Sequence, residues 1–183
     1  NELNAYDVLV IGNNGYGGNG FDLFAAVLRS WVEGGGGVVM TGWGIYGSQT
    51  YNVSSATQAN LDAIIPVDLA GSFSYVHAGT LTPSGVLHPV IENVPVFSTS
   101  SGDYVEYPAS GRIDSGAVTL ATTLGQPTAV AGEPGAGRGV YLGPIYSGYS
   151  GYNNSELRSG TPDRLLEQAV AWAANPTDQS DFF

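Results

Sequence analysis

Residues 34–47 read GGGGVVMTGWGIYG, and this stretch decides the fold class. The four glycines at residues 34–37 end a helix that we predict over residues 21–33, and the mostly apolar residues 38–41 are typical of a short buried strand. A turn rich in glycine and aromatic residues follows the strand. With the apolar run at residues 6–12, this order predicts a β-α-β unit with a right-handed crossover.

The rest of the chain continues the α/β pattern. A helix is expected to begin at Ser54 or Ser55, and Thr161 is expected to be the N-cap of the final helix. Residues 42–53 and 98–116 are expected to be loops. Short strands are predicted at residues 118–122, 128–131 and 139–142, the last two forming a hairpin. We therefore expect a flavodoxin-like three-layer α/β sandwich, with a mostly parallel sheet and an antiparallel edge hairpin.

The length of 183 residues predicts one domain over residues 1–176, followed by a linker or tail at residues 177–183. A doubly wound domain normally has a strand and a helix ahead of the unit that begins here at Tyr6. We expect that first strand to be cut away upstream or supplied by another chain. No signal-peptide pattern opens the chain, so such a signal is expected to have been removed or never present.

Composition excludes several function classes. The net charge is −11, with five arginines and no lysine, which predicts no binding to nucleic acids or anionic membranes. The absence of cysteine excludes disulfides, thiol catalysis and zinc–thiolate sites. No apolar run approaches the roughly 20 residues needed to span a bilayer. The surplus of glycine, serine, threonine, asparagine and tyrosine predicts an extracellular or cell-surface bacterial location.

Five segments, in order, resemble the class I glutamine amidotransferase-like superfamily, and most of all its non-catalytic, ThuA-like extracellular branch. They are LNAYDVLVI at residues 3–11, WVEGGGGVV at 31–39, HPVIENV at 88–94, GRGVYLG at 137–143 and the helix at 165–173. The resemblance covers nearly the whole chain and implies the flavodoxin-like fold. It carries little function, because one fold hosts many functions.

The resemblance also implies that glutamine hydrolysis is absent. Catalytic members carry a cysteine on the turn after the strand at residues 38–41, where this chain has glycine near Gly42. Their histidine–glutamate pair would fall in the loop at residues 143–160, which contains Glu156 but no histidine. No G-x-S-x-G serine elbow is present either. We therefore expect no catalytic site of these kinds.

A glycine pattern at residues 15–20 matches the G-x-G-x-x-G dinucleotide fingerprint, but its context differs. The preceding strand already ends at Gly12, and the acidic residue that would hold a ribose is missing about 20 residues on. We interpret this stretch as a flexible loop.

Aromatic residues are expected at the carboxyl end of the sheet, where open α/β sheets bind ligands. The candidate ligand-binding residues are Tyr16, Trp43, Tyr46, Tyr51, Tyr146 and Tyr149. Aromatic faces flanked by asparagine and serine suit sugar rings, and a peptide groove is an alternative. The alternative is that these side chains pack the loops down or bury against a neighbouring domain.

Two polar groupings complete the list of candidate sites. His88 and Asp103 are candidates for an acid–base pair, although a histidine before proline is more often structural. Asp103 and Glu106 are candidates for a carboxylate pair or a Ca²⁺ site, without EF-hand spacing, and no other cofactor is expected. Asp178 and Asp181 form a further acidic pair.

Three hypotheses of function follow. The first is a non-enzymatic accessory or binding domain that contacts a glycan, a peptide or a neighbouring domain or chain through its aromatic loops. The second is a ThuA-like enzyme acting on a sugar through His88 and Asp103. The third is a structural domain that assembles through an open sheet edge.

Overall fold

A mixed seven-stranded sheet organises this α/β chain. The computed structural model describes residues 2–13, 20–50, 53–146 and 155–174. The strands within them are β1 Val8–Ile11, β2 Gly37–Thr41, β3 Phe73–His77, β4 Thr80–Pro83, β5 Phe97–Ser98, β6 Tyr104–Pro108, β7 Val118–Thr123, β8 Gln126–Gly132 and β9 Arg138–Leu142. The α-helices are α1 Ala25–Glu33, α2 Gly44–Thr50, α3 Ser55–Asp62 and α4 Gly160–Ala174, and short 3-10 helices span Glu2–Ala5, Gly20–Leu23, Pro89–Ile91 and Ser155–Arg158.

The main sheet has the strand order β1-β2-β9-β8-β7-β4-β5, and β3 and β6 form a separate antiparallel pair. Only β1, β2 and β9 run parallel to one another; the pairings from β9 through β8, β7, β4 and β5 are antiparallel. The expectation of a mostly parallel sheet is therefore corrected to a mixed sheet. The reason is that tight turns join β7 to β8 and β8 to β9, and strands joined so closely pair antiparallel.

Both faces of the parallel strands are buried. Val39 of β2 packs in one apolar cluster with Leu165 and Ala169 of α4. Its neighbours Val38 and Met40 point to the other face, in a cluster that includes residues of α1 and α3. Helices thus cover β2 on both sides, which explains why this strand lacks the alternation of polar and apolar residues seen in half-exposed strands.

The predicted elements differ from the observed ones in a few places. Ser54 is the N-cap of α3, where its Oγ accepts a hydrogen bond from the amide of Thr57 at 3.2 Å. Helix α4 begins at Gly160, so the predicted N-cap Thr161 lies inside it. The expected loop at residues 42–53 contains α2, and the one at residues 98–116 contains β6. The predictions for residues 15–19 and 177–183 lie outside the described residues.

Strand β1 is at an edge of the main sheet. Within the described residues, no strand pairs with β1 on the side away from β2. Val10 is 46% exposed and Tyr6, just before the strand, is 64% exposed. An apolar edge strand without charged or proline residues is uncommon, because unpaired backbone groups there invite pairing with other chains.

Candidate functional site

A sharp turn joins the end of β2 to α2. Trp43 occupies it with a positive backbone angle, φ 67°, which is uncommon for a bulky residue. Glycines flank it on both sides for steric reasons. A Cβ on Gly42 would overlap the carbonyl oxygen of Gly143, and a Cβ on Gly44 would overlap the side chain of Met40. In this strained strand–turn–helix elbow the residue with the positive φ is Trp43, so the position that catalytic elbows give to a nucleophile is one residue after Gly42, near which it was expected from the sequence.

The amide groups that follow the elbow are bound by a buried carboxyl group. The Glu106 side chain of β6 accepts hydrogen bonds from the amide of Ile45 at 3.1 Å and from that of Tyr46 at 2.8 Å. It also accepts one from the hydroxyl of Tyr141 at 2.9 Å. A short, glycine-rich segment with low helix propensity can form α2 here because its first N–H groups are satisfied internally.

Burial dominates the electrostatics of this group. Removal of Glu106 from water raises its pKa to about 7, against the opposing effect of the hydrogen bonds from Tyr46, Tyr141 and Ile45. Burial also raises the pKa of Tyr141, and the neighbouring Glu106 adds to this effect. Since Glu106 is fully buried and bound by several donors, its role is to stabilise the elbow and not to reach a substrate.

Trp43 stands at the centre of a group of rings. Its ring centroid lies 5.4 Å from that of Tyr46, 5.3 Å from those of Tyr75 and Tyr104, and 6.3 Å from that of Phe73. Spacings of this size are typical of favourable tilted and edge-to-face pairs. The ring of His77 packs 4.0 Å from that of Tyr104. We call this group the aromatic cluster; it comprises Trp43, Tyr46, Phe73, Tyr75, His77 and Tyr104.

The β3–β6 pair explains how the cluster is assembled. Tyr75 lies opposite Glu106 and His77 lies opposite Tyr104 in the register. Residues opposite each other in an antiparallel pair project from the same face, so this face carries both the rings and the carboxyl group toward α2. Trp43 itself is buried, whereas Tyr75 is 46% exposed and His77 is exposed. The cluster therefore has a buried centre and an accessible aromatic rim.

The structure brings together part of the predicted site. Trp43 and Tyr46 are neighbours, while Tyr16, Tyr51 and Tyr149 lie outside the described residues. Tyr146 is separate from the cluster: it is buried against α4, and its hydroxyl donates to the carbonyl of Pro162 at 2.8 Å. Tyr146 thus packs its loop against α4.

Strands β3 and β6 contribute rings that were not predicted from the sequence. Phe73, Tyr75, His77 and Tyr104 were not among the candidate ligand-binding residues. The signal was present in the segment FSYVH, where every second residue is aromatic, as expected for one face of a strand.

The proposed acid–base pair of His88 and Asp103 is not assembled. His88 packs its ring 4.8 Å from that of Trp172, and its Nδ1 accepts a hydrogen bond from the amide of Val90. Asp103 is buried just before β6, beside the carboxyl end of β9, where Val105 bridges Pro144, and it accepts a hydrogen bond from Ser100 at 3.1 Å. His88 therefore has structural contacts with Trp172 and Val90 in this fold.

The predicted metal-binding residues Asp103 and Glu106 have other partners. The described residues contain no group of three or more histidine, aspartate or glutamate side chains placed to hold a metal ion. The oxygens of Glu106 accept hydrogen bonds from amide and hydroxyl donors. The acidic pair of Asp178 and Asp181 lies outside the described residues.

No protein-family model matches the chain. No curated protein matches it either.

Solved structures do match the chain, and three of them illustrate the range. A cytoplasmic protein from Salmonella typhimurium has a TM-score of 0.64 and 19% identity, over 94% of this chain and 73% of that one. A protein from Parabacteroides merdae described as ThuA-like has a TM-score of 0.67 and 16% identity, over 97% and 73%. A β-galactosidase from Bacillus circulans has a TM-score of 0.54 and 16% identity, over 93% of this chain but 24% of the enzyme.

At these identities the comparisons show a common fold, and ThuA-like proteins are among those that share it. They contradict the location expected from composition. Two of the matching structures, both from Salmonella typhimurium, are described as cytoplasmic proteins. The expectation of an extracellular or cell-surface location was therefore wrong. It rested on residue composition, which is not a targeting signal.

No described helix combines the length and the apolar character that crossing a bilayer requires.

Proposed function

We propose that this chain is a non-enzymatic binding domain whose ligand contacts the aromatic cluster. The observation that carries the proposal is the elbow itself. Trp43 stands where a nucleophile would be expected, and Glu106 binds the amides of Ile45 and Tyr46 that follow it. An elbow used for acyl transfer needs a nucleophile and free amide donors for the developing oxyanion. In this elbow a tryptophan takes the place of the nucleophile, and the amides are already bound to Glu106.

A saccharide is the ligand class that we propose for the rim of the cluster. Tyr75 and His77 present aromatic faces with polar tips, which suit the C–H faces and hydroxyl groups of a sugar ring. The acidic surface disfavours phosphate-bearing ligands, since the net charge is −11. The similarity to part of a β-galactosidase supports a carbohydrate context.

A printed glycan array that includes β-galactosides tests this proposal, followed by a solution titration of any glycan that binds. Tyr75→Ala removes an exposed ring, so the fold should be retained, and we expect about a tenfold loss of affinity. Tyr6→Ala is the matched control, because Tyr6 is also exposed but lies beside β1. An array without a binding glycan, or a glycan bound equally by wild type, Tyr75→Ala and His77→Ala, would contradict the proposal.

A second candidate function is assembly through the open edge of β1, favoured by the exposure of Val10 and Tyr6. Under this hypothesis light scattering finds an oligomer, and Val10→Lys dissociates it without altering the circular dichroism spectrum. Val96→Lys, at another exposed valine, is the control and leaves the mass unchanged. A wild-type chain that is monomeric at all concentrations would rule this function out.

We also propose that the chain is a divergent relative of the class I glutamine amidotransferase-like superfamily with its flavodoxin-like three-layer arrangement. The elbow after β2, the helices on both faces of β2 and the ThuA-like fold neighbours support this. An experimental structure with all helices on one face of the sheet would contradict it.

A further inference from the structure

A cavity of about 540 Å³ opens at the end of the sheet away from the aromatic cluster. The elbow follows the last residue of β2, whereas the cavity lies beside the end of β8 and the beginning of β7. Since β9 runs parallel to β2 and its first residues pair with the end of β8, the two sites are at opposite ends of these strands. This cavity has no part in the binding function proposed above.

Two acidic residues line one side of the cavity. Val118 of β7 pairs with Ala131 of β8, so the loop before β7 lies beside Gly132 and Glu133. The backbone of Asp114 in that loop is held on both sides: its amide donates to the carbonyl of Pro66 at 3.3 Å, and its carbonyl accepts from the amide of Ala117 at 3.1 Å. The carboxyl groups of Asp114 and Glu133 thus belong to adjacent walls of one cavity.

The Asp114 carboxylate lacks a positive neighbour. Within the described residues its side chain makes no hydrogen bond or ion pair, although it is more than half-buried. Burial, followed by the charges of Asp62 and Asp68, raises its pKa to about 6. The side chains of those two aspartates have partners of their own, the amide of Leu69 for one and Arg112 for the other. A cation in the cavity would stabilise the ionised form of Asp114.

The remaining walls are formed largely by apolar residues, and the positive charge beside the cavity, that of Arg138, is paired with Glu133, since its Nε lies 4.0 Å from a carboxylate oxygen of that residue. Ile64, Pro66 and Trp172 contribute to them. The guanidinium of Arg138 lies 4.7 Å from the Trp172 ring and donates to the carbonyl of Trp172, so it is buried behind this wall. His88 also lines the cavity, and burial lowers its pKa, which favours the neutral ring.

We propose that this cavity binds a small organic cation, a primary amine with a compact apolar body. The ammonium group is held by Asp114, since Glu133 is already paired with Arg138, and the apolar part packs against Pro66 and Trp172. A charge-assisted hydrogen bond in a partly dehydrated site provides the affinity. The negative net charge of the chain increases the local concentration of such cations.

Benzylamine and its neutral counterpart benzyl alcohol test the proposal, because they have nearly the same shape. Binding is followed in ¹H–¹⁵N spectra through the Trp172 indole and the amides of Gly116 and Gly132. For so small a ligand we expect a Kd of about 1 mM for benzylamine and about tenfold weaker binding of the alcohol. Asp114→Asn should lower benzylamine affinity by about tenfold.

Glu92→Gln is the matched control, since it removes an exposed carboxylate outside the cavity and should leave the affinity unchanged. The spectrum of Asp114→Asn itself reports whether that variant is folded. Equal affinity for benzylamine and benzyl alcohol, an unchanged affinity in Asp114→Asn, or shifts that map to the aromatic cluster would each overturn the proposal. Binding of a neutral sugar here that survives Asp114→Asn would do so as well.

Discussion

Glu106 makes the stability of the elbow depend on pH in a direction opposite to that of most carboxylates. Its pKa is raised from 4.5 to about 7 in the folded chain. Between those values the folded state holds a proton that the unfolded state has lost. The contribution of Glu106 to stability is therefore fully present below about pH 4.5 and declines as the pH rises to about 7.

The magnitude follows from the distance between the two pKa values. Each pH unit between them changes the free energy of unfolding by about 1.4 kcal/mol, which gives about 3 kcal/mol over the whole interval. Glu106→Gln removes this titration and keeps the shape of the side chain. The free energy of unfolding of the wild type minus that of Glu106→Gln is thus expected to fall by about 3 kcal/mol as the pH rises through this range.

Urea unfolding followed by tryptophan fluorescence measures this difference, since Trp43 sits directly on the elbow. The exposed Glu92→Gln serves as the control and should show no such fall. A difference between wild type and Glu106→Gln that stays constant with pH would refute the reasoning. It would mean that the amides of Ile45 and Tyr46 outweigh burial and keep Glu106 ionised throughout.

Three further substitutions have defined expectations. Leu124 and Gly125 both have positive φ in the turn between β7 and β8, and Leu124 is 75% exposed; Leu124→Asn should stabilise the chain by about 1 kcal/mol in urea unfolding. A Cβ on Gly137 would overlap the carbonyl oxygens of Val32 and Gly36, so Gly137→Ala should lower the free energy of unfolding by more than about 2 kcal/mol. The raised pKa of Asp114 means that its ionisation destabilises the fold above about pH 6. Allowing for solvent screening, Asp114→Asn should raise the free energy of unfolding by about 1 kcal/mol at neutral pH. Thermal unfolding at both pH values should show that this gain vanishes below about pH 4.

The sequence predicted those features that depend on local pattern. The apolar run of β2, the cap at Ser54 and the hairpin of β8 and β9 follow from periodicity and turn residues, and all are present. The sequence predicts a loop where α2 forms, and the glycines of this segment do disfavour a helix. Helix α2 forms because Glu106, about 60 residues away in the chain, binds its first amides.

The candidate site was predicted only in part, because it also depends on contacts between residues that are far apart in the sequence. Trp43 and Tyr46 are close in sequence, and their position at the end of a strand was informative. The contribution of Tyr75 and Tyr104 depends on the pairing of β3 with β6, which no local pattern specifies. Likewise, the separation of His88 from Asp103 is a property of the topology, and single-residue chemistry gives no information about it.

The position of β9 between β2 and β8 has a consequence for how the chain folds during synthesis. Gly37 of β2 pairs with Arg138 of β9, roughly a hundred residues later, whereas β7, β8 and β9 are consecutive neighbours. Closing a loop of that length costs about 4 kcal/mol in chain entropy, so we expect the β7–β9 meander to form first and β2 to join it late. At translation rates of about 5 to 20 residues per second, the apolar β2 is synthesised roughly 5 to 20 s before its partner strand β9. During that interval the N-terminal part of the chain is the one that needs protection from aggregation.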